Sequence, residues 1–298
     1  MAGLRELHLL FTYQCTFECD HCFVWGSPRQ TGAFTLQAIR DALRQASEVG
    51  TVEWIYFEGG EPFLYYPILL EGVREASRYG FQVGLVTNSY WAVTFEDACQ
   101  WLEPFAGLLQ DLSVSSDLYH SDDPQDRRAE NARRAAQSLD IPCGTISIAQ
   151  PEAGDCSGAV GKLPEGESGP MYRGRAAVLL AARAVKRPWA SFRECPYEDL
   201  RQPGRLHLDP LGYLHICQGI TTGNLFQQHL SEICQGYDPD LHPISGPLLA
   251  GGPVQLVERY ELAHEDAYAD ACHLCYSARR DLRQRFPEIL APDQMYGV

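Results

Sequence analysis

Cys15, Cys19 and Cys22 fall within eight residues, CTFECDHC, near the start of a 298-residue chain. A thiolate loop of this length can wrap one metal centre. With no secretion signal ahead of it, such a cluster reads as metal or iron–sulfur ligands before it reads as disulfides. Three thiolates are one too few for a closed four-ligand shell. Zinc would recruit a fourth ligand from His21, His8 or His120, although His21 is wedged against Cys22, where its ring reaches the same ion poorly. A [4Fe-4S] cluster on three thiolates keeps one iron open to something other than protein, which makes an active centre rather than a structural one.

A second, wider set lies toward the other end: Cys195, Cys217, Cys272 and Cys275, the last two as CHLC. Four thiolates from three places would pin this region together, and structural zinc or a fully ligated [4Fe-4S] cluster fits the count equally well. Cys234 is the competing ligand, but Leu230 and Ile233 beside it suggest a core helix face. With Cys99, Cys143 and Cys156 it is expected to be a core or spare thiol, and eleven cysteines is an odd number for a paired disulfide framework.

Alternating elements must position these groups. Residues 7–11 read as a buried strand feeding the cysteine loop. A helix over 35–49 has Thr35 to cap it and Leu36, Ile39, Leu43 and Ala46 as its apolar stripe. A strand over 52–57 ends at Glu58-Gly59-Gly60-Glu61-Pro62. A helix at 67–79, a strand at 81–87, a helix from Thr94 to Trp101, a strand at 109–115, a helix at 124–139 and a strand at 142–149 follow. This alternation predicts parallel strands with helical crossovers, and no GxGxxG follows the first strand. The expected fold is α/β, a partial (β/α)6-type barrel with its chemistry at the C-terminal ends of the strands. The cysteine loop, GGEP and Thr87-Asn88 all follow strand ends. Beyond 150 regularity fades: 151–172 reads as a loop, 175–186 as an Ala-rich helix, and no sixth strand is evident. Leu206–Asp209 and Tyr213–Ile216 around Pro210-Leu211-Gly212 read as a β-hairpin, with helices near 224–235 and 277–285. The expected domains are 1–185 and a cysteine-bearing appendix over 186–298.

The bulk numbers set bounds. A net charge of -15 disfavours phosphate backbones, so no nucleic-acid partner is expected. No stretch approaches the ~20 apolar residues that cross a bilayer, and the expectation is a cytoplasmic protein without a membrane partner.

CTFECDHC at 15–22, FEGGEP at 57–62 and VTNS at 86–89, with βα alternation between, resemble the radical S-adenosylmethionine (SAM) superfamily over about residues 5–185. The resemblance implies that the open iron binds the amino and carboxylate groups of S-adenosylmethionine. Reductive cleavage then yields a 5′-deoxyadenosyl radical that takes a hydrogen atom from substrate. It implies cofactor contacts from Gly59, Gly60, Glu61 and Pro62, with the Glu61 carboxylate able to accept from the methionine ammonium. Ser115 would face the ribose or methionine carboxylate. Asn88 would contact the cofactor or cap the segment after it. Where family members often have an aromatic residue before the third cysteine, this chain has His21 and places Phe23 just after, so Phe23 is the candidate for adenine stacking. An electron donor such as flavodoxin or ferredoxin is implied.

HLDPLGYLHIC, Gly223-Asn224-Leu225 and Gly174-Arg175-Ala176 resemble the twitch type of auxiliary-cluster domain, a shortened relative of the SPASM domain, over about 170–280. That resemblance implies one auxiliary [4Fe-4S] cluster on Cys195, Cys217, Cys272 and Cys275, able to take the electron left on a substrate radical. The layout resembles that of 2-deoxy-scyllo-inosamine dehydrogenases. The leading expectation is a radical SAM oxidoreductase acting on a small metabolite. Modification of a ribosomally made peptide is the alternative, although a first strand starting within about seven residues leaves no room for a leader-binding module before it. A non-catalytic metal-binding structural protein is the third reading. At the expected mouth, Tyr119 or His120 could handle a proton, and Arg173 or Arg175 could bind a substrate anion. His207 and His215 are expected to line the packing face of the hairpin.

Overall fold

The computed structural model describes residues 3–153 and 167–298. Cys156 and most of the expected 151–172 loop lie outside the described residues. Strand and helix alternate through β1 (Glu6–Thr12), α1 (Leu36–Val49), β2 (Trp54–Gly59), α2 (Tyr66–Arg78), β3 (Gln82–Thr87), α3 (Phe95–Leu102), β4 (Asp111–Ser115), α4 (Arg128–Ser138) and β5 (Cys143–Ile148). The expected caps form. Thr35 accepts from the Ala38 N–H and Thr94 from the Asp97 N–H. Gly50 closes α1 in the left-handed conformation, which costs glycine little.

The sixth strand that the sequence conceals is a two-residue β6 (Glu167–Ser168) paired with β5, too short to show a period. The Ala-rich stretch is helical only as α5 (Arg175–Leu179). Ala176, Leu180 and Ala181 pack into a small buried cluster of their own, while Val178 and Leu179 are exposed. After β7 (Arg187–Pro188), the hairpin strands β8 (Arg205–Leu208) and β9 (Tyr213–Cys217) form as expected and are joined by a third strand, β10 (Ile220–Asn224). The expected 224–235 helix starts later, as α6 (Leu230–Gly236), where His229 and Glu232 form a capping box. A further helix, α7 (Ser245–Tyr260), is hidden by Gly251-Gly252-Pro253, where it kinks through non-helical backbone. β11 (Ala267–Tyr268) pairs with β7. The last helix, α8 (Ala271–Leu282), begins six residues before the expected 277, because Asp270 caps it by accepting from the His273 N–H.

One nine-stranded sheet runs β10-β9-β8-β1-β2-β3-β4-β5-β6. β1 to β6 are parallel neighbours, a partial barrel, and β8 joins the far edge of β1 in parallel. The sheet therefore runs unbroken across the 185/186 boundary. Phe57 faces α1 and α2, since a Cβ on Gly72 would meet its ring at 3.1 Å and Ile39 at 3.4 Å. Leu9, opposite Phe57, shares that face. Strand side chains alternate, so His8, Tyr56, Glu58 and His207 occupy the opposite face, toward the barrel lumen.

Candidate functional site: two cysteine centres and the cavity beside the first

The cysteine loop leaves β1 at Thr12 and is braced from three sides. The Phe17 N–H and the Asn88 amide donate to Cys15 Sγ, both at 3.4 Å, and the Gly26 N–H donates to Cys22 Sγ at 3.2 Å. Burial pushes the Cys15 thiol up to about 12 and the Cys19 thiol upward as well. Buried thiols held this way favour the thiolate only when a cation shares them, and N–H groups aimed at sulfur suit a ligating thiolate. The first set fits a metal–sulfur centre.

The Gly59-Gly60 pair is required by close approach. A Cβ on Gly60 would sit 2.1 Å from the Gln14 carbonyl oxygen, and Gly59 has φ 123°. The Gly60 and Glu61 N–H groups donate to the Thr12 and Gln14 carbonyls at 2.6 and 2.9 Å. GGEP thus props the root of the cysteine loop. The Glu61 side chain does not meet the expectation of an acceptor open to an ammonium. It is fully buried and accepts from the Phe63 N–H (3.0 Å), the Asn88 N–H (2.7 Å) and the Thr87 hydroxyl (3.0 and 3.1 Å). It clamps the end of β2 to the end of β3, and burial outweighs these donors to push its carboxyl up to about 7.

A cavity of about 400 Å³ opens beside this clamp, within the usual range for small-molecule sites. Asn88, Ser115, Phe17, Asp117 and His120 line it. Asn88 caps the segment after it, its Oδ1 accepting from the Tyr90 N–H at 3.1 Å, while its amide reaches Cys15 and the Thr16 hydroxyl. His120 Nδ1 lies 2.8 Å from Asp117 Oδ1, and Asp117 also accepts from the N–H groups of Tyr119, His120 and Ile148. Burial raises Asp117, but the His120 contact and the backbone donor outweigh it and hold the carboxyl low. The Tyr119 hydroxyl donates to the Ala149 carbonyl at 3.2 Å, and burial pushes it up to about 12. His21 packs its ring 4.7 Å from Tyr119, and burial lowers it to about 4.

Three expected site residues lie elsewhere. Arg175 is buried, and its guanidinium donates to the Cys19 and Gly26 carbonyls at 2.7 and 2.8 Å, so it braces the cysteine loop and has no free donor face for a substrate anion. Arg173 is also buried, paired with Glu198 at 3.1 Å and donating to Cys217 Sγ at 3.3 Å. Phe23 does not line the cavity; its ring lies against the Arg173 guanidinium, 5.6 Å away. Asp117 was not singled out from the sequence, though it stands three residues before His120 at a strand end.

Cys195, Cys217, Cys272 and Cys275 line one common cavity, and Cys234 does not. α8 brings Cys272 and Cys275 to one face at i, i+3. Arg173 and Arg279 line the same space, and the buried Nε of each has no hydrogen-bond partner. Burial pushes the Cys195 thiol up to about 12 and raises Cys272 and Cys275. Two buried guanidinium groups with unpartnered N–H groups beside four thiols fit an anionic metal–thiolate centre. Arg279, four residues after Cys275 on α8, was legible only as helical spacing.

Residues 9–106 match the radical SAM superfamily. This part of the chain is a radical SAM domain. Over 109 residues the chain is 29% identical to the putative peptide biosynthesis protein YydG of Bacillus subtilis (strain 168), covering 36% of this chain and 34% of that one. Over 86 residues it is 30% identical to the tungsten-containing aldehyde ferredoxin oxidoreductase cofactor-modifying protein of Pyrococcus furiosus, covering 28% and 24%. The matches thus span about a third or less of these curated relatives. Outside the radical SAM domain the fold is also shared: the crystal structure of BtrN in complex with AdoMet and 2-DOIA superposes with TM-score 0.52 at 16% identity, covering 92% of each chain. No helix among the described residues is long and apolar enough to cross a membrane.

Proposed function

We propose that this chain is a radical SAM enzyme that oxidises a small molecule by two electrons. The carrying observation is adjacency: Asn88 lines the cavity of about 400 Å³ and donates to Cys15, so a ligand filling the cavity would lie against the three-cysteine centre. Bound there, a [4Fe-4S] cluster and S-adenosylmethionine would supply a 5′-deoxyadenosyl radical that removes a substrate hydrogen atom.

The residues divide the remaining work. Cys15, Cys19 and Cys22 would hold the cluster, with Arg175 and the Gly59–Pro62 turn keeping their loop in place. Asn88 and Ser115 would orient the cofactor. His120, held by Asp117, would accept the proton released when an alcohol becomes a carbonyl. Cys195, Cys217, Cys272 and Cys275 would hold one auxiliary [4Fe-4S] cluster, an acceptor for the second electron, with zinc as the competing occupant. A donor such as flavodoxin or ferredoxin would supply the initiating electron. The domain division at about 185 stays part of this reading, with each cysteine set on its own side. The similarity to a protein named for peptide biosynthesis favours a second reading, in which the substrate is a ribosomally made peptide.

The test is anaerobic reconstitution. About eight irons and eight sulfides per chain are expected for two clusters. Reduced protein given S-adenosylmethionine should release 5′-deoxyadenosine, and Cys15→Ala should abolish it. Four irons plus zinc would remove the auxiliary cluster from the reading, and no 5′-deoxyadenosine would remove the activity. Turnover of candidate alcohols against precursor peptides separates the two substrate classes.

A further inference from the structure

Away from both cysteine sets, three side chains from β1, β2 and β8 converge in the lumen. His8 Nδ1 lies 3.3 Å from one Glu58 oxygen and His207 Nε2 lies 3.2 Å from the other. Their ligand atoms all lie within 4.8 Å of one another. Register puts them there: His8 stands directly opposite His207 in the parallel β1–β8 pair, and Glu58 is on the neighbouring strand on the same face. His8 and His207 are 7% and 4% exposed.

These contacts have hydrogen-bond lengths without hydrogen-bond geometry. His8 Nδ1 and Glu58 Oε1 are buried and have no partner in the correct alignment. Donor and acceptor axes are therefore misaligned for a direct hydrogen bond, and these buried polar atoms are left without a partner. A tetrahedral ion with bonds of about 2.0–2.1 Å sets its ligand atoms about 3.3–3.4 Å apart. Each histidine nitrogen lies near that distance from one of the two Glu58 oxygens, so an ion between the rings would need the carboxylate to turn or to chelate through both oxygens. The other His8 nitrogen, Nε2, meets Glu6 Oε2 at 3.2 Å. A carboxylate behind a histidine is the usual support of a metal ligand. Gln218 reaches His207 Nε2 at 3.5 Å while its own buried Oε1 is unpartnered, so its amide can supply a further oxygen donor when turned. The positive charge nearby, Arg205, is paired with Glu198 at 3.1 Å.

We propose that His8, Glu58 and His207 form a divalent transition-metal site of the zinc class in the barrel lumen, separate from both cysteine centres. Two neutral imidazoles and one carboxylate form a donor set common in zinc enzymes, with a fourth position for water, Gln218 or an oxygen of a molecule in the lumen. The Glu58 side chain is 14% exposed, which leaves an approach. The competing occupant is a proton, giving a charged His8 against Glu58.

The anaerobically reconstituted full chain is dialysed against Zn²⁺ with iron, sulfide and zinc counted together, and the bound zinc is examined by X-ray absorption. One zinc per chain with a nitrogen and oxygen shell is expected, lost in His207→Ala while iron and sulfide stay unchanged. Glu6→Gln should weaken zinc binding roughly 10- to 100-fold. Zinc in the second cysteine set would add a sulfur shell that His207→Ala leaves in place, so failure of the auxiliary-cluster reading is distinguishable. The proposal is overturned if wild-type protein retains no zinc, if the zinc shell is sulfur only, or if zinc binding survives His207→Ala unchanged. Should His207→Ala fail to fold, the wild-type shell and Glu6→Gln decide the matter.

Discussion

The Glu61 clamp yields a quantitative prediction. Its carboxylate is fully buried and its partners are the neutral donors of Phe63, Thr87 and Asn88. Burial carries its carboxyl from 4.5 to about 7. Between those values the folded state keeps a proton that an opened state has released, so the clamp is weakened as pH rises through about 7. From pH 6 to pH 8.5 a native value near 7 against an opened value near 4.5 amounts to about 1.4 kcal/mol, a tenfold loss. Native-state hydrogen exchange at the Phe63 and Asn88 amides reads this directly once the intrinsic pH dependence of exchange is removed. Protection in the wild type should fall about tenfold over that range, while Glu61→Gln, which cannot titrate, should stay flat. Glu61→Gln should also lose protection at both pH values, because its amide turns a donor toward one backbone N–H, a mismatch worth about 1–3 kcal/mol. An identical pH slope in the two proteins would mean that the three donors offset burial, and the argument would fail.

Other consequences follow from the same packing. Arg175→Ala should lower iron retention at Cys15, Cys19 and Cys22 without a selective rise in KM, because the guanidinium holds loop carbonyls; a KM effect at full iron content would restore the substrate-anion role. Gly60→Ala should prevent assembly of the first centre, since its Cβ would lie 2.1 Å from the Gln14 carbonyl oxygen; wild-type iron and cofactor binding would show that the backbone yields there. Arg279→Gln should lower the midpoint potential of the second centre by on the order of 100 mV, from opposite charges a few ångströms apart at an effective dielectric near 20. An unmoved potential in an EPR-monitored titration, with the second cluster present, would remove that arginine from the electrostatics of the centre.

The sequence by itself determined the radical SAM domain and its parallel βα order. Cysteine spacing, strand-ending glycines and helix caps are local features, and their physics acts within a few residues. Four cysteines spread from 195 to 275 were legible as a set, although the helix carrying two of them was placed too far along, because its cap, Asp270, precedes any visible apolar period. Only the tertiary structure decided where the charged side chains point. Arg173 and Arg175, two residues apart and alike on paper, serve different cysteine centres, one beside Cys217 and the other beneath Cys19. Glu61 turned inward while Glu58, three residues earlier, met two histidines from strands that register alone brings together. Long-range pairing of β1 with β8 joins residues about 200 positions apart, and no local pattern encodes which faces then coincide.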